Sequence, residues 1–332
     1  MNDENQTRLK DLPRLDLANL PTPVERLSRL SDQLEIDLWV KRDDLTGLAF
    51  GGNKTRKLEF LLADAQELGA DTLVTVGAVQ SNHCRQTAAA AARRGFACEL
   101  VLVGGPPADV SGNLLLDRLL GAKLHWTTGD RGQALDTVVD ALQRAGARPY
   151  RIPYGGSNQL GVAAFAMAMQ EFLHQGVAVD RIVLASSSGG TQAGLLLGAE
   201  VFGFGGTITG ISVEPTAADL HQSIAELLSM TCAGLGLTCQ VPVDRIQVTD
   251  RYLGGGYAVL GDLEREAVGR FAKAEGLLLD PVYTGRAAGG LLDLVSQGKI
   301  KPGERILFWH TGGTPALFAY PELFDEASPS SS

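Results

Sequence analysis

The stretch GGNKTRKLEFLLADAQELGADTLVTVGAVQSNHCRQTAAAAARRG, residues 51–95, carries the pattern on which the fold turns. Its first part is helical: Leu58, Leu61, Leu62, Ala65 and Leu68 recur at helical spacing from a start beside Lys54 to a stop at Gly69. DTLVTVG then reads as a strand, GAVQSNH as a polar turn, and RQTAAAAARRG as a helix so small-faced that it must lie close against a sheet. The alternation extends in both directions. DLWVKR, CELVLVG, AKLHW, RPYRIP, RIVLASSSGG, TITGISVEP and RILFWHTGG read as strands, with GQALDTVVDALQRAG and TQAGLLLGAEVFG as helices between them. This order predicts an α/β fold with largely parallel, open, twisted sheets, helices on their faces and ligand sites at the carboxyl ends of the strands.

The bulk properties bound the function. A chain of 332 residues, 45% hydrophobic and 20% charged, has ample core and length for two domains. A formal net charge of -9 and a pI near 5.1, with no block of Lys and Arg along one face, exclude a phosphate-tracking nucleic-acid binder. The first residues, MNDENQTRLKDLPRLDLANLPTPVERL, are polar and broken by prolines with no apolar leader or anchor, so a cytoplasmic protein away from membranes is expected. Cys84, Cys98, Cys232 and Cys239 have neither disulfide-framework nor metal-ligand spacing and read as reduced thiols; no metal site is expected. His125, His174 and His221 read as surface histidines, and EASPSSS at the end as a disordered tail.

Seven glycine-rich turns punctuate the chain: GLAFGGNK, GAVQSNH, PYGGSN, SSSGGTQAG, YLGGGY, DPVYTG and HTGGTP. SSSGGTQAG runs from a strand into a helix with hydroxyls and free backbone N–H groups at the helix start, which makes an anion cradle. It lacks the lysine of a nucleoside-triphosphate loop, and no G-x-G-x-x-G dinucleotide fingerprint occurs in the chain. A smaller phosphorylated cofactor fits better. Lys54 sits in the first turn of its helix, where the helix dipole disfavours an ammonium. A lysine so placed, and partly buried, becomes a neutral amine able to form a Schiff base with an aldehyde. The aldehyde that also bears a phosphate is pyridoxal 5′-phosphate. Arg56 and Lys57, one turn on, are expected to solvate the helix or pair with Glu59 and Asp64.

KRDDLTGLAFGGNKTRKLEF, GAVQSNHCRQTAA, GGSNQLG, SGGTQAG, LLLDPVYTGRAAGGL and HTGGTPALFAY together resemble the D-cysteine desulfhydrase and 1-aminocyclopropane-1-carboxylate (ACC) deaminase family of pyridoxal-phosphate enzymes, from about Leu12 to Tyr320. The resemblance implies the tryptophan-synthase β-like fold (fold type II) in two α/β domains, here 1–50 plus 160–332 as the larger, cofactor-binding one and 51–159 as the smaller. It implies that Lys54 carries the cofactor and Asn82 meets its ring oxygen. The backbone from Ser187 through Ser188, Gly189 and Gly190 to Thr191 would hold the phosphate, and Thr311 would stand near the pyridine nitrogen. A neutral hydroxyl there weakens the electron sink and suits an elimination that discharges its carbanion quickly. Ser81, Asn82, His83 and Thr284 would meet the substrate, faced by Tyr257 and Tyr283. A homodimer is also implied.

Within that family the ACC deaminases resemble QSNQ, VYEG and HLGG where this chain has QSNH, VYTG and HTGG, so His83, Thr284 and Thr311 fall on the desulfhydrase side. Two departures stand out: Ala258 and Leu260 lie where relatives carry a Tyr-Gly-x-Pro run, and Ser187 replaces a glycine. The expected reaction is β-elimination from a small amino acid, D-cysteine giving pyruvate, sulfide and ammonia. Lys54 would act as the base at Cα, and Tyr283 or Tyr257 would assist the leaving group. L-cysteate and other β-substituted alanines, ACC deamination to 2-oxobutyrate, and a non-catalytic small-molecule binder are the alternatives.

Overall fold

A computed structural model describes residues 2–321, and the expected tail at 326–332 lies outside them. The strands are β1 (Val24–Arg26), β2 (Asp37–Arg42), β3 (Thr72–Ala78), β4 (Ala97–Val103), β5 (Lys123–Thr127), β6 (Pro149–Arg151), β7 (Arg181–Ser186), β8 (Thr207–Ser212), β9 (Gln247–Thr249) and β10 (Arg305–His310). The helices are α1 (Asn2–Lys10), α2 (Ser28–Leu34), α3 (Asn53–Glu67), α4 (Asn82–Arg94), α5 (Gly112–Leu119), α6 (Arg131–Arg144), α7 (Gln159–His174), α8 (Gly190–Phe202), α9 (Ala217–Gly234), α10 (Asp262–Glu275) and α11 (Thr284–Ser296). They build two sheets. One has six strands in the order β1-β2-β10-β7-β8-β9, all parallel except β1 against β2; the other has four parallel strands in the order β5-β4-β3-β6.

Both faces of each sheet are covered, so β7 and β10 read as unbroken apolar runs rather than alternating ones. On the six-stranded sheet α7, α8 and α9 cover one face and α10 and α11 the other. On the four-stranded sheet α3, α4 and α5 lie on one side and α6 on the other. Helix α8 approaches α7 closely because Gly194 has no side chain: a Cβ there would fall 3.0 Å from the Cα of Phe165. Phe165 and Phe172 pack edge-on against Trp309, with ring centroids 6.1 and 6.3 Å away.

The helix read from residues 54–69 is α3, but Leu68 lies beyond its end and is 68% exposed. A larger correction concerns Arg56 and Lys57, which are buried rather than solvated. Arg56 binds Asp43 (2.8 Å) and Glu171 (2.8 Å), and Glu171 also takes Lys41 at 2.6 Å. Trp309 Nε1 and Thr22 Oγ1 donate to the same Asp43 carboxylate, at 2.8 and 3.0 Å. Glu59 instead accepts the backbone amides of Leu17 and Ala18, and Asp64 the hydroxyl of Tyr150.

Candidate active site

The loops after β3, β6, β7 and β10 and the start of α3 converge on one cleft. The chain reverses into α3 through Gly51 and Gly52, and the Asn53 amide donates to Thr311 O at 2.9 Å, tying the helix start to the end of β10. Lys54 therefore projects into the cleft. Its Nζ donates to Asn53 Oδ1 (3.0 Å), while Asn53 Nδ2 donates to Thr191 Oγ1 (3.0 Å). Burial pushes the Lys54 ammonium down to about 8, helped by Arg85 and opposed by the Asp280 carboxylate.

Ser81 caps α4 by accepting the Cys84 amide at 3.2 Å, which leaves its own hydroxyl proton to donate. Asn82 comes next, and its Oδ1 is taken by Asn113 Nδ2 at 2.8 Å, so its NH₂ is the group it offers to a ligand. The tautomer of His83 is set by its neighbour. Thr75 has one hydroxyl proton and gives it to Ile152 O at 2.9 Å, so His83 Nε2, 2.9 Å from that hydroxyl oxygen, must carry the ring proton and donate it. Nδ1 is then a bare acceptor, buried and without a hydrogen-bond partner among the described residues. Burial, then Lys54 and Lys57, hold the ring well below the usual histidine range and keep it neutral.

Beyond β7, Gly189 turns the chain with φ +75°, and a Cβ there would press on Ile224 at 3.0 Å. The first amides of α8 precede the helix's own hydrogen-bond ladder and are free to meet a ligand. Gly190 is the point of closest approach. A Cβ on it would strike Ser157 Oγ and come within 3.0 Å of Lys57 Nζ. Lys57 donates to Gly155 O (3.1 Å) and Ser157 Oγ (3.3 Å), and among the described residues it has no carboxylate partner. Burial and Lys54 push its ammonium well below the usual range.

Lys54, Ser81, Asn82, His83, Ser187, Ser188, Gly189, Thr191, Tyr283 and Thr311 thus line one cleft. Tyr257 stands behind the wall, its hydroxyl 2.8 Å from that of Tyr283 and the rings edge-on at 6.0 Å. Gly190 backs the loop against Ser157. The substrate contact expected of Thr284 meets a different arrangement: Thr284 is fully buried, outside the cleft lining, and its amide and hydroxyl both donate to Asp280 Oδ1 at 2.8 Å.

Residues 15–312 match the profile of the family described as pyridoxal-phosphate dependent enzyme. The chain belongs to that family. The pyridoxal-phosphate relatives it resembles include the D-cysteine desulfhydrase of Yersinia pestis (strain Pestoides F), 42% identical over 325 residues, covering 95% of this chain and 98% of the relative. The D-cysteine desulfhydrase of Salmonella typhi is 43% identical over 322 residues, covering 94% and 97%. The crystal structure of an ACC deaminase homologue superposes with a TM-score of 0.89 at 37% identity, over 95% of this chain and 96% of that one. The fold is therefore pyridoxal-phosphate fold type II, the protein is an enzyme, and pyridoxal 5′-phosphate is its cofactor.

The residues present suit that cofactor. A buried amine with a lowered pKa suits an aldehyde, and the α8 amides beside Lys57, a buried lysine with no carboxylate partner among the described residues, suit a phosphate. Four contributors escape a reading of the sequence alone: Lys57, Asn53, Asn113 and Tyr154. Tyr154 lines the cleft, and its hydroxyl and that of Ser187 both donate to Glu214 at 3.1 Å. Tyr154 and Asn53 alone have a local signal, since they lie in the turns PYGGSN and GLAFGGNK.

Ala258, next to Tyr257, has φ +58° at the position where the family resemblance places a glycine. A Cβ in that region costs about 1–2 kcal/mol. Ala258→Gly is expected to stabilise the fold by about 1 kcal/mol after the greater entropy of an unfolded glycine is counted, read as a higher thermal midpoint.

Proposed function

We propose that the enzyme catalyses β-elimination from D-cysteine, converting it with one water to pyruvate, hydrogen sulfide and ammonia. The observation that carries this reading is the 42% identity to D-cysteine desulfhydrases over 95% of the chain. When bound, pyridoxal phosphate supplies the electron sink that makes the Cα proton of an amino acid removable. The residue roles are proposals on the same footing. The α8 amides and Lys57 hold the phosphate, Asn82 donates through its NH₂, and Ser81 orients the substrate carboxylate. Lys54, with a pKa near 8, is the base that takes the Cα proton. His83, neutral and presenting bare Nδ1, accepts a hydrogen bond and cannot act as an acid.

The Tyr283 phenol is held well above its usual range by burial and by Tyr257, so it stays protonated. Hydrosulfide is a much weaker base than a phenolate, so proton transfer to it would run uphill. Tyr283 therefore guides departing sulfur with a hydrogen bond, and Tyr257 orients Tyr283 through their 2.8 Å contact.

Two further assignments extend the proposal. The division into a cofactor-holding unit (1–50 and 160–332) and a smaller unit (51–159) is supported by the strands, which segregate into the two sheets along it. A homodimer is supported by exposed Leu115, Leu119 and Phe318 and is tested by sedimentation; a cytoplasmic location is proposed with it and is tested by cell fractionation. The main competing chemistry is ACC ring opening, favoured by the TM-score of 0.89 to the ACC deaminase homologue. The deciding experiment measures pyruvate and sulfide from D-cysteine, L-cysteine, L-cysteate and D-serine, and 2-oxobutyrate from ACC. Turnover of D-cysteine above the rest is the expected result; 2-oxobutyrate as the main product would overturn it.

A further inference from the structure

The four free cysteines occupy two environments. Cys84 and Cys98 are buried, and burial together with the Asp117 carboxylate pushes both thiols up, Cys98 to about 12. Cys232 and Cys239 are half-buried, one in the last turn of α9 and the other in the segment after it, near enough that each thiol perturbs the other. The backbone between them folds back on itself: Gly236 takes φ +64°, and the Leu237 amide donates to Cys232 O at 2.8 Å. Both sulfurs line an open groove with Leu228, Ser229 and Val241. The reaction at Lys54 makes no use of them.

We propose that Cys232 and Cys239 form a redox-active dithiol, a modification site whose co-reactant is a small disulfide of the cystine or glutathione class. The neighbouring Cys239 thiol draws Cys232 below the usual thiol range, which favours its thiolate as the attacking group. That thiolate attacks the small disulfide. A bond forms from Cys232 Sγ to one sulfur, and the other sulfur leaves as a thiol after taking a proton. Cys239 then gives up its proton and attacks Cys232 Sγ, expelling the second small thiol. The protein loses two electrons and two protons, and one disulfide becomes two thiols. Both residues line the same groove, and Cys239 lies outside any helix or strand, where the chain can adjust to bring the sulfurs to a bond of about 2.05 Å.

The test incubates the full-length holoenzyme with glutathione disulfide and measures intact and tryptic masses. Residues 182–245 form one tryptic peptide that contains both Cys232 and Cys239 and neither of the other two cysteines. The expected result is a loss of about 2 Da on that peptide, with Cys84 and Cys98 alkylated only after denaturation. Cys239→Ser should stop the reaction at a single glutathionyl group on Cys232. No reaction, glutathione on both cysteines without an internal bond, or a disulfide between two chains would overturn the proposal.

Discussion

Lys54→Ala should lower turnover by on the order of 10⁴-fold or more and abolish the visible absorbance that the wild-type enzyme develops with pyridoxal phosphate. The fold should survive, because among the described residues the side chain makes one hydrogen bond, to Asn53, and spends its length reaching the cleft. Removing it even relieves the burial of a cation. Lys54→Arg separates charge from chemistry, since a guanidinium keeps the positive charge and cannot condense with an aldehyde. The same lysine sets a pH dependence. Burial depresses its pKa to about 8, so below that pH the amine is protonated and above it free. Loading of cofactor onto the cofactor-free chain should accelerate as pH rises through about 8. Between there and the ordinary lysine range the unfolded chain binds more protons than the folded one, so stability of the cofactor-free chain also rises across that window. A stopped-flow series of visible spectra checks the first point. An intact visible band in the alanine variant would remove Lys54 from its role.

Arg56→Ala should destabilise the fold by about 3–5 kcal/mol, the cost of leaving buried carboxylates without their partner. Among the described residues Asp43 would keep only the Thr22 and Trp309 donors, and Glu171 only Lys41 and Thr22. Urea unfolding reads this as a lowered midpoint at unchanged slope. A solvated helix-face arginine would cost no more than about 0.5 kcal/mol, so the measurement discriminates sharply. Arg56→Lys restores charge but not the fork that reaches both Asp43 and Glu171, and should recover only part of the loss.

Most candidate site residues legible in the sequence lie in short polar turns directly after apolar strands; Lys54, at the start of α3, and Tyr283, in the turn before α11, do not. Ser81, Asn82 and His83 come after β3, Ser187 to Thr191 after β7, and Thr311 after β10. The alternation of periods marks such turns without knowledge of any contact. The groups that escape are those whose meaning lies in a distant partner. Arg56 and Glu171 are 115 positions apart, and Lys57 and Gly155 are 98 apart, so nothing near either residue distinguishes a buried cation from a solvated one. Thr284 escapes for the opposite reason: its partner, Asp280, is four positions away, and that local bond turns it from the cleft. In the fold, β1 and β9 are three-residue strands at sheet edges, too short to show a period. Helix α7 is apolar nearly all round because it is enclosed by α3, α8 and α9, so no stripe betrays it.

Helix α3 gives four residues within its first two turns four separate engagements: Lys54 in the cleft, Arg56 on Asp43 and Glu171, Lys57 under the glycine loop, and Glu59 on the amides of Leu17 and Ala18. Each added or deleted residue rotates the remainder of the helix by about 100°. A single-codon insertion or deletion between Lys54 and Glu59 would therefore misdirect several of these side chains at once, burying charges against the wrong neighbours. Gene libraries that sample length changes should find this segment the least permissive in the chain, while loops on the far side of the four-stranded sheet absorb them.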